Sequence, residues 1–480
     1  MQEYSTESGS FAVLLLRDDT ASRWPLPLAM SQTFIDYFRC PAEFADFRVP
    51  EGLSEKRGFF RFGAEGIGYG RLPAGQPENG SIHHARDVAS STRIEDQGCY
   101  LPFDPDEVVR NLRLERYIAR SSGNGNRATA RKIMRNSYYA LRPLLPVAIR
   151  KHLQRAALRG WDQRPFPRWP VDHSVDAILE TMMVMSLEAH QAERIPFVWF
   201  WPEGQSACAT MTHDIETAQG RDFCPQLMDL NDSFGIKSSF QVVPEERYSV
   251  PDEFLATIRR RGFEVNVHDL NHDGKLFEDR EEFLRRAAQI NRYAKKFCAA
   301  GYRSGVLYRN LDWYEAFEIS YDMSVPNVGH LDPQRGGCCT TKPFFIGKIL
   351  EIPVTATQDY TLFNILEQYS TDLWREQVRR ILERHGLASF IVHPDYVLEP
   401  RARNTYRELL AHLAQLRRTS NLWTALPGEV NEWWRARSEM MLRKQGERWV
   451  IEGPGKDRAR VAFARLENGR LAYELPAVQD

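Results

Sequence analysis

Between about residues 205 and 438 the chain alternates short apolar runs with amphipathic stretches, and several apolar runs end in acids or imidazoles. Ala207-Cys-Ala-Thr-Met-Thr-His-Asp-Ile-Glu216 and Phe263-Glu-Val-Asn-Val-His-Asp-Leu-Asn-His272 are two such runs. Short apolar segments bounded by polar ones read as strands, and longer ones with a 3.6-residue period read as helices. Strands are expected at 237–243, 349–355, 388–392 and 422–425. Helices are expected near 225–234, 251–261, 281–297, 373–384, 406–416 and 427–437. Repeated strand–helix units restrict the fold to an α/β barrel or a doubly wound sheet, with chemistry at the C-terminal ends of the strands.

The residue types at those ends suit a metal. His268 and His272 stand four apart, a spacing that can put both rings on one side of a turn. Asp214 and Glu216 stand two apart, so on an extended strand both carboxylates share a face. Two imidazoles with a carboxylate form a common ligand set for a divalent ion, zinc foremost, with a position left for water. A second carboxylate beside them can act as a base.

Five segments, in order, resemble the motifs of the polysaccharide deacetylase family, carbohydrate esterase family four. They are Thr212-His-Asp-Ile-Glu216, His268-Asp-Leu-Asn-His272, Gly301-Tyr-Arg-Ser-Gly305, Tyr321-Asp-Met-Ser-Val325 and Ile391-Val-His-Pro394. The resemblance implies a distorted (β/α) barrel and hydrolysis of an acyl group. It implies Asp214 as general base, oriented by Arg303, with Asp322 as the partner of Arg303, and His393 as general acid. It gives His268 and His272 as metal ligands. The second aspartate of the family's first motif falls at Ile215, so Glu216, one residue later and on the side of Asp214, is taken as the acidic ligand. The oxyanion donor would be a backbone N–H near Val306. Asp269 either bonds a ligand histidine or is a solvated loop acid, and His213 should face away from the site. Two loops at strand ends are expected to touch substrate, one with Asn327, His330, Asp332 and Arg335, the other with Asp359 and Tyr360.

Composition narrows the partners. The formal net charge is −1, which argues against electrostatic binding of nucleic acid or membrane. No apolar run approaches the length of a membrane span, and the N-terminus lacks a basic and apolar leader. Seven cysteines without a C-x-x-C pair argue against a zinc finger or a disulfide framework. The chain reads as cytoplasmic. Many members of the family it resembles are exported, which hints here at a substrate other than a mature cell-wall polymer.

The flanks read differently. Residues 1–125 look loop-rich and mainly β, with a buried strand at Phe11–Leu16. The glycines at 66, 68 and 70 are followed by Arg71-Leu-Pro rather than a helix, so a phosphate loop is excluded. His83 and His84 read as solvated surface, with metal binding as the alternative. Residues 126–204 form a helical linker region: a basic stretch over 129–155, a proline-rich linker at 164–170, and a Met-rich helix over 175–194 whose methionines read as core. The barrel spans 205–438, and 439–480 form a small C-terminal β appendage. Three functions fit these features. One is a metal-dependent hydrolase removing an acyl group, N-acetyl foremost, from a carbohydrate or sugar-containing precursor. The others are an amidohydrolase acting on a non-sugar amide, and a non-catalytic carbohydrate-binding barrel.

Overall fold

A computed structural model describes residues 30–74, 82–118, 155–156 and 158–476. The strand expected at Phe11–Leu16 and nearly all of the basic stretch at 129–155 lie outside the described residues. The N-terminal strands are β1 (Phe47–Arg48), β2 (Leu53–Phe62), β3 (Gly66–Pro73), β4 (Arg93–Glu95) and β5 (Gly98–Tyr100). The glycines of β3 lie in an antiparallel hairpin with β2. Two of them serve close packing: a Cβ on Gly68 would lie 2.3 Å from the Phe60 ring, and one on Gly70 would lie 2.6 Å from Val108.

The strand β6 (Arg194–Val198) precedes the barrel strands β7 (Ala207–Ile215), β8 (Ser239–Val242), β9 (Glu264–His268), β10 (Gly301–Arg303), β11 (Tyr321–Asp322), β12 (Phe344–Ile346), β13 (Ile349–Glu351), β14 (Leu387–Ile391) and β15 (Leu422–Thr424). They form one sheet in the order β12-β13-β11-β10-β9-β8-β7-β14, with β15 on the N-terminal end of β7. Every pairing is parallel except that of β12 with β13. β7 is buried along its whole length, as a parallel strand covered on both faces must be. Beyond β13, the Ala356 N–H donates to Ser389 O and the Ser389 N–H donates to Thr355 Oγ1, so an irregular segment meets β14. The sheet thereby curls into a distorted barrel.

Helices Ala218–Ser233, Asp252–Arg260, Arg280–Lys296, Asp372–Leu382, Pro400–Thr419 and Pro427–Glu439 cover it. Side-chain caps start three of them: Thr217 Oγ1 accepts from the Gly220 N–H, Asp279 Oδ1 accepts from Glu281 and Glu282 N–H, and Glu399 Oε2 accepts from the Ala402 N–H. The first of these helices begins seven residues before Pro225, where the sequence suggested its start.

A second core joins both flanks. It holds Phe60 and Phe62 of β2, Ile178 and Met182 of helix Ser174–Ala189, Phe197 of β6, and Trp433. Among the described residues four strands follow the last helix: β16 (Met441–Gln445), β17 (Arg448–Glu452), β18 (Val461–Glu467) and β19 (Arg470–Glu474). Leu442-Arg-Lys-Gln445 of β16 carries no apolar alternation, so the sequence alone does not mark it as a strand. β18 pairs antiparallel with β6, from Val461 opposite Val198 to Arg465 opposite Arg194, so the C-terminal strands complete a sheet that begins before the barrel.

Candidate metal centre

The first, second, third and fifth motifs converge at the C-terminal ends of β7, β9, β10 and β14. Single ligand atoms of Glu216, His268 and His272 all lie within 4.8 Å of one another. His268 ends β9 and is buried; its Nδ1 lies 3.1 Å from Arg303 O. A proton on Nδ1 satisfies that carbonyl and leaves Nε2 as a lone pair facing the site. Burial, only partly opposed by Asp214, drops the pKa of His268 to about 4, so its ring is held neutral, the ligand form. His272 follows a left-handed turn, with φ of +55° at both Asp269 and His272. Its Nε2 lies 3.0 Å from Glu216 Oε1 but out of line for a hydrogen bond. Burial lowers the pKa of His272, and the Glu216 carboxylate more than offsets this and raises it.

Two buried imidazole nitrogens without hydrogen-bond partners, facing a carboxylate, cost free energy unless something else occupies their lone pairs. This donor set fits a divalent cation of the zinc type.

Asp214 stands on one side. Arg303 Nη1 donates to Asp214 Oδ1 at 2.7 Å and to Thr212 Oγ1 at 2.6 Å, while Asp214 Oδ2 lies 3.8 Å from His268 Nε2. Burial alone would raise the Asp214 pKa, but the Arg303 guanidinium and the imidazoles of His268 and His393 hold it below the usual carboxylate range. On the other side, His393 Nε2 lies 3.6 Å from Glu216 Oε1. Burial disfavours the charged ring, and Asp359 with Glu216 more than compensates, raising the His393 pKa well above its ordinary value.

One expected pairing is absent among the described contacts. Asp322 does not reach Arg303; the third donation of Arg303 goes from Nε to Met323 O. Asp322 instead accepts from Ser324 N–H, Ser324 Oγ and Tyr314 Oη. At the end of β11 it lies in a buried carboxyl pair with Glu351, and burial raises both. Asp359 is fully buried against His393: its Oδ1 lies 2.6 Å from His393 Nδ1 and its Oδ2 accepts from the His393 N–H at 2.7 Å. Asn327 is also buried, stitched to Asp172 and Thr340 through their backbones. His330 is buried, and its carbonyl accepts from Arg164. Asp332 accepts from Gln358 Nε2 in a narrow cavity that Leu307 and Val354 also line. Arg335 faces a different cleft, with Tyr308 and Arg309. The Tyr360 ring lies 5.6 Å from that of Tyr396 at a tilt of 43°, and the Tyr396 ring lies 4.9 Å from that of His393.

Asp269 is buried rather than solvated; its Oδ1 accepts from the Leu270 N–H. His213 points out of the barrel, where Val392 O, Asn231 Nδ2 and Tyr406 Oη surround its ring. The sequence reading overlooked Asp395, which accepts from Thr217 Oγ1 and from the Glu216 N–H and so fixes the backbone at Glu216. Its position two residues after His393 was the available signal.

No family model and no curated protein match this chain. Solved structures do. A Mycobacterium smegmatis protein described as a polysaccharide deacetylase is 17% identical, covers 52% of this chain and 97% of its own length, and has a TM-score of 0.41. Puue allantoinase is 12% identical over 49% of this chain and 92% of its own, with a TM-score of 0.40. The peptidoglycan deacetylase PdaC of Bacillus subtilis is 11% identical over 48% of this chain and 93% of its own, with a TM-score of 0.32. The chain is thus structurally similar, over about half its length, to polysaccharide deacetylases and to an allantoinase.

Proposed function

We propose that the chain is a metal-dependent hydrolase that removes an acyl group, N-acetyl foremost, from a carbohydrate or a sugar-containing precursor. The carrying observation is the arrangement around Glu216, His268 and His272: an arginine-held carboxylate on one side and a carboxylate-held imidazole on the other. A divalent cation held by these three residues would supply Lewis acidity toward the acyl carbonyl and lower the pKa of water.

The side chains divide the remaining work. Asp214, kept ionised by Arg303, takes a proton from the attacking water. The backbone N–H of Val306, in the turn beside His272, is the donor for the oxyanion, since that of Leu307 is taken by Ser304 O. His393, with Nδ1–H held by Asp359, gives a proton from Nε2 to the leaving nitrogen.

Metal analysis with an acetate-release assay on acetylated sugars tests this. One zinc per chain is expected, lost in His268→Ala and His272→Ala. Asp214→Asn should keep the metal and lose nearly all acetate release, because an amide cannot accept the proton. A chain that binds zinc and sugar but releases no acetate would point to the binding-only alternative, and release from non-sugar amides alone to the other. Stoichiometric metal in both histidine variants would place the centre elsewhere.

A further inference from the structure

The turn that follows β10 is held from outside the barrel. Arg309 is buried and donates from Nη1 to Leu307 O at 2.7 Å. Its Nε donates to Glu115 Oε2 at 2.7 Å, and its Nη2 reaches Glu115 Oε1. Glu115 lies just beyond helix Pro105–Arg113, in the N-terminal part of the chain, and takes a left-handed backbone with φ of +55°. Its Oε1 also accepts from the Gly337 N–H at 2.6 Å. Gly336 permits this approach: at φ of +136°, a Cβ there would lie 2.4 Å from Glu115 Oε1 and 2.4 Å from Ile118 Cδ1. Tyr117 Oη donates to Gly337 O at 2.7 Å and anchors the same segment.

What Arg309 holds is strained and lies against the candidate centre. Val306 and Leu307 have φ of +61° and +55°, a region that a β-branched valine rarely enters. Such strain persists only where the surroundings overdetermine it. Gly305, at the start of the turn, packs so tightly that a Cβ on it would lie 2.4 Å from Asp269 Oδ2 and 3.1 Å from His272 Cδ2. Gln334 closes the far side, accepting from the Arg309 N–H and donating to Arg309 O.

We propose that Glu115 is a positioning residue: acting through Arg309, it fixes the 304–308 turn against His272 and so sets the geometry of the metal centre from a segment outside the barrel. The proposal deepens the functional reading above and rests on it for its metal and activity arms. Arginine suits the role because its planar fork can grip the Glu115 carboxylate with two donors while a third reaches Leu307 O.

The test uses the full chain with Glu115→Gln and with the double variant Glu115→Gln/Arg309→Gln, which removes both charges of the pair. Hydrogen exchange at the amides of 305–309 should speed about tenfold or more in both, while β9 amides keep their wild-type rates. Zinc, measured against a competing chelator, should bind about tenfold more weakly in both. If acetate is released, kcat should fall about tenfold at constant KM, and the double variant should lose no more than the single, since the pair acts as a unit. Wild-type exchange at 305–309 in a folded Glu115→Gln chain overturns the proposal whatever the activity shows, and if that variant does not fold, the double variant decides on the same readout. A wild-type chain that binds no zinc overturns the metal and activity arms together with the functional reading, and the exchange arm then decides the clamp alone.

Discussion

Asp359 governs what His393 can do. Two of its oxygens contact the histidine, one at the ring and one at the backbone N–H, so the ring is both oriented and charged. A raised pKa means that the imidazolium survives above the ordinary value of about 6.5 and is lost only as pH climbs through the higher folded value. The alkaline limb of the pH–rate profile should therefore lie above neutrality. Asp359→Asn removes the carboxylate charge and should move that limb to lower pH by on the order of one unit. His393→Ala should cost about 10² to 10⁴ in rate on an amide, and least on an activated ester whose leaving group needs no proton. A profile from acetate release over pH 5 to 10 checks both, within the roughly 1.4 kcal/mol that one pH unit represents. An unmoved limb in Asp359→Asn would show that the pair has no role in proton transfer.

At the scale of elements, strand ends and the turns after them form the centre, and the closest joint is between two turns. The turn after β9 carries Asp269 and His272, and the turn after β10 carries Gly305. They meet without room for one more carbon. Gly305→Ala should push Asp269 and His272 away, weakening zinc about tenfold and lowering stability by about 1 to 3 kcal/mol, the usual cost of overpacking. Chelator competition and urea unfolding measure the two effects. Unchanged zinc affinity would mean that His272 tolerates the displacement and contributes little to binding.

At the scale of the molecule, the barrel and the flanking core share a buried polar seam. Asp176 of helix Ser174–Ala189 accepts from Tyr37 Oη at 3.0 Å and from Thr340 Oγ1 at 3.2 Å, and lies 3.6 Å from Lys342 Nζ. Lys342 in turn donates to Tyr37 Oη and to Arg384 O. Burial would raise the Asp176 pKa, but Lys342 and His173 drive it far below the usual carboxylate value. A depressed folded pKa contributes stability above the unfolded value of about 3.9, and that contribution fades as pH falls below it. Asp176→Asn leaves Lys342 without its counter-ion and should cost about 3 to 5 kcal/mol near pH 7. The gap to wild type should narrow by about 1 kcal/mol at pH 3. Urea midpoints across that range test it; a gap constant from pH 7 to pH 3 would show that Asp176 titrates alike in both states.

Much of the barrel is legible in the sequence because its information is local. Apolar runs and 3.6-residue periods mark β7, β14 and the helices around them, and the caps at Thr217 and Asp279 are written beside the segments they start. The convergence of Asp214, Glu216, His268, His272, Arg303 and His393 follows once the strands are parallel, since all then deliver their ends to one rim. Pairing across that rim is another matter, because it depends on strand order and register, which no stretch of neighbouring residues encodes. Asp322, on the strand paired directly with that of Arg303, turns instead to Ser324 and Tyr314, while Asp359, 34 residues before His393, becomes its partner. The antiparallel joining of β18 to β6 likewise brings together strands that flank the whole barrel. The sequence by itself determined which elements and which ligand chemistry this chain carries; the tertiary structure decided which charges meet, because only the closed sheet sets their distances.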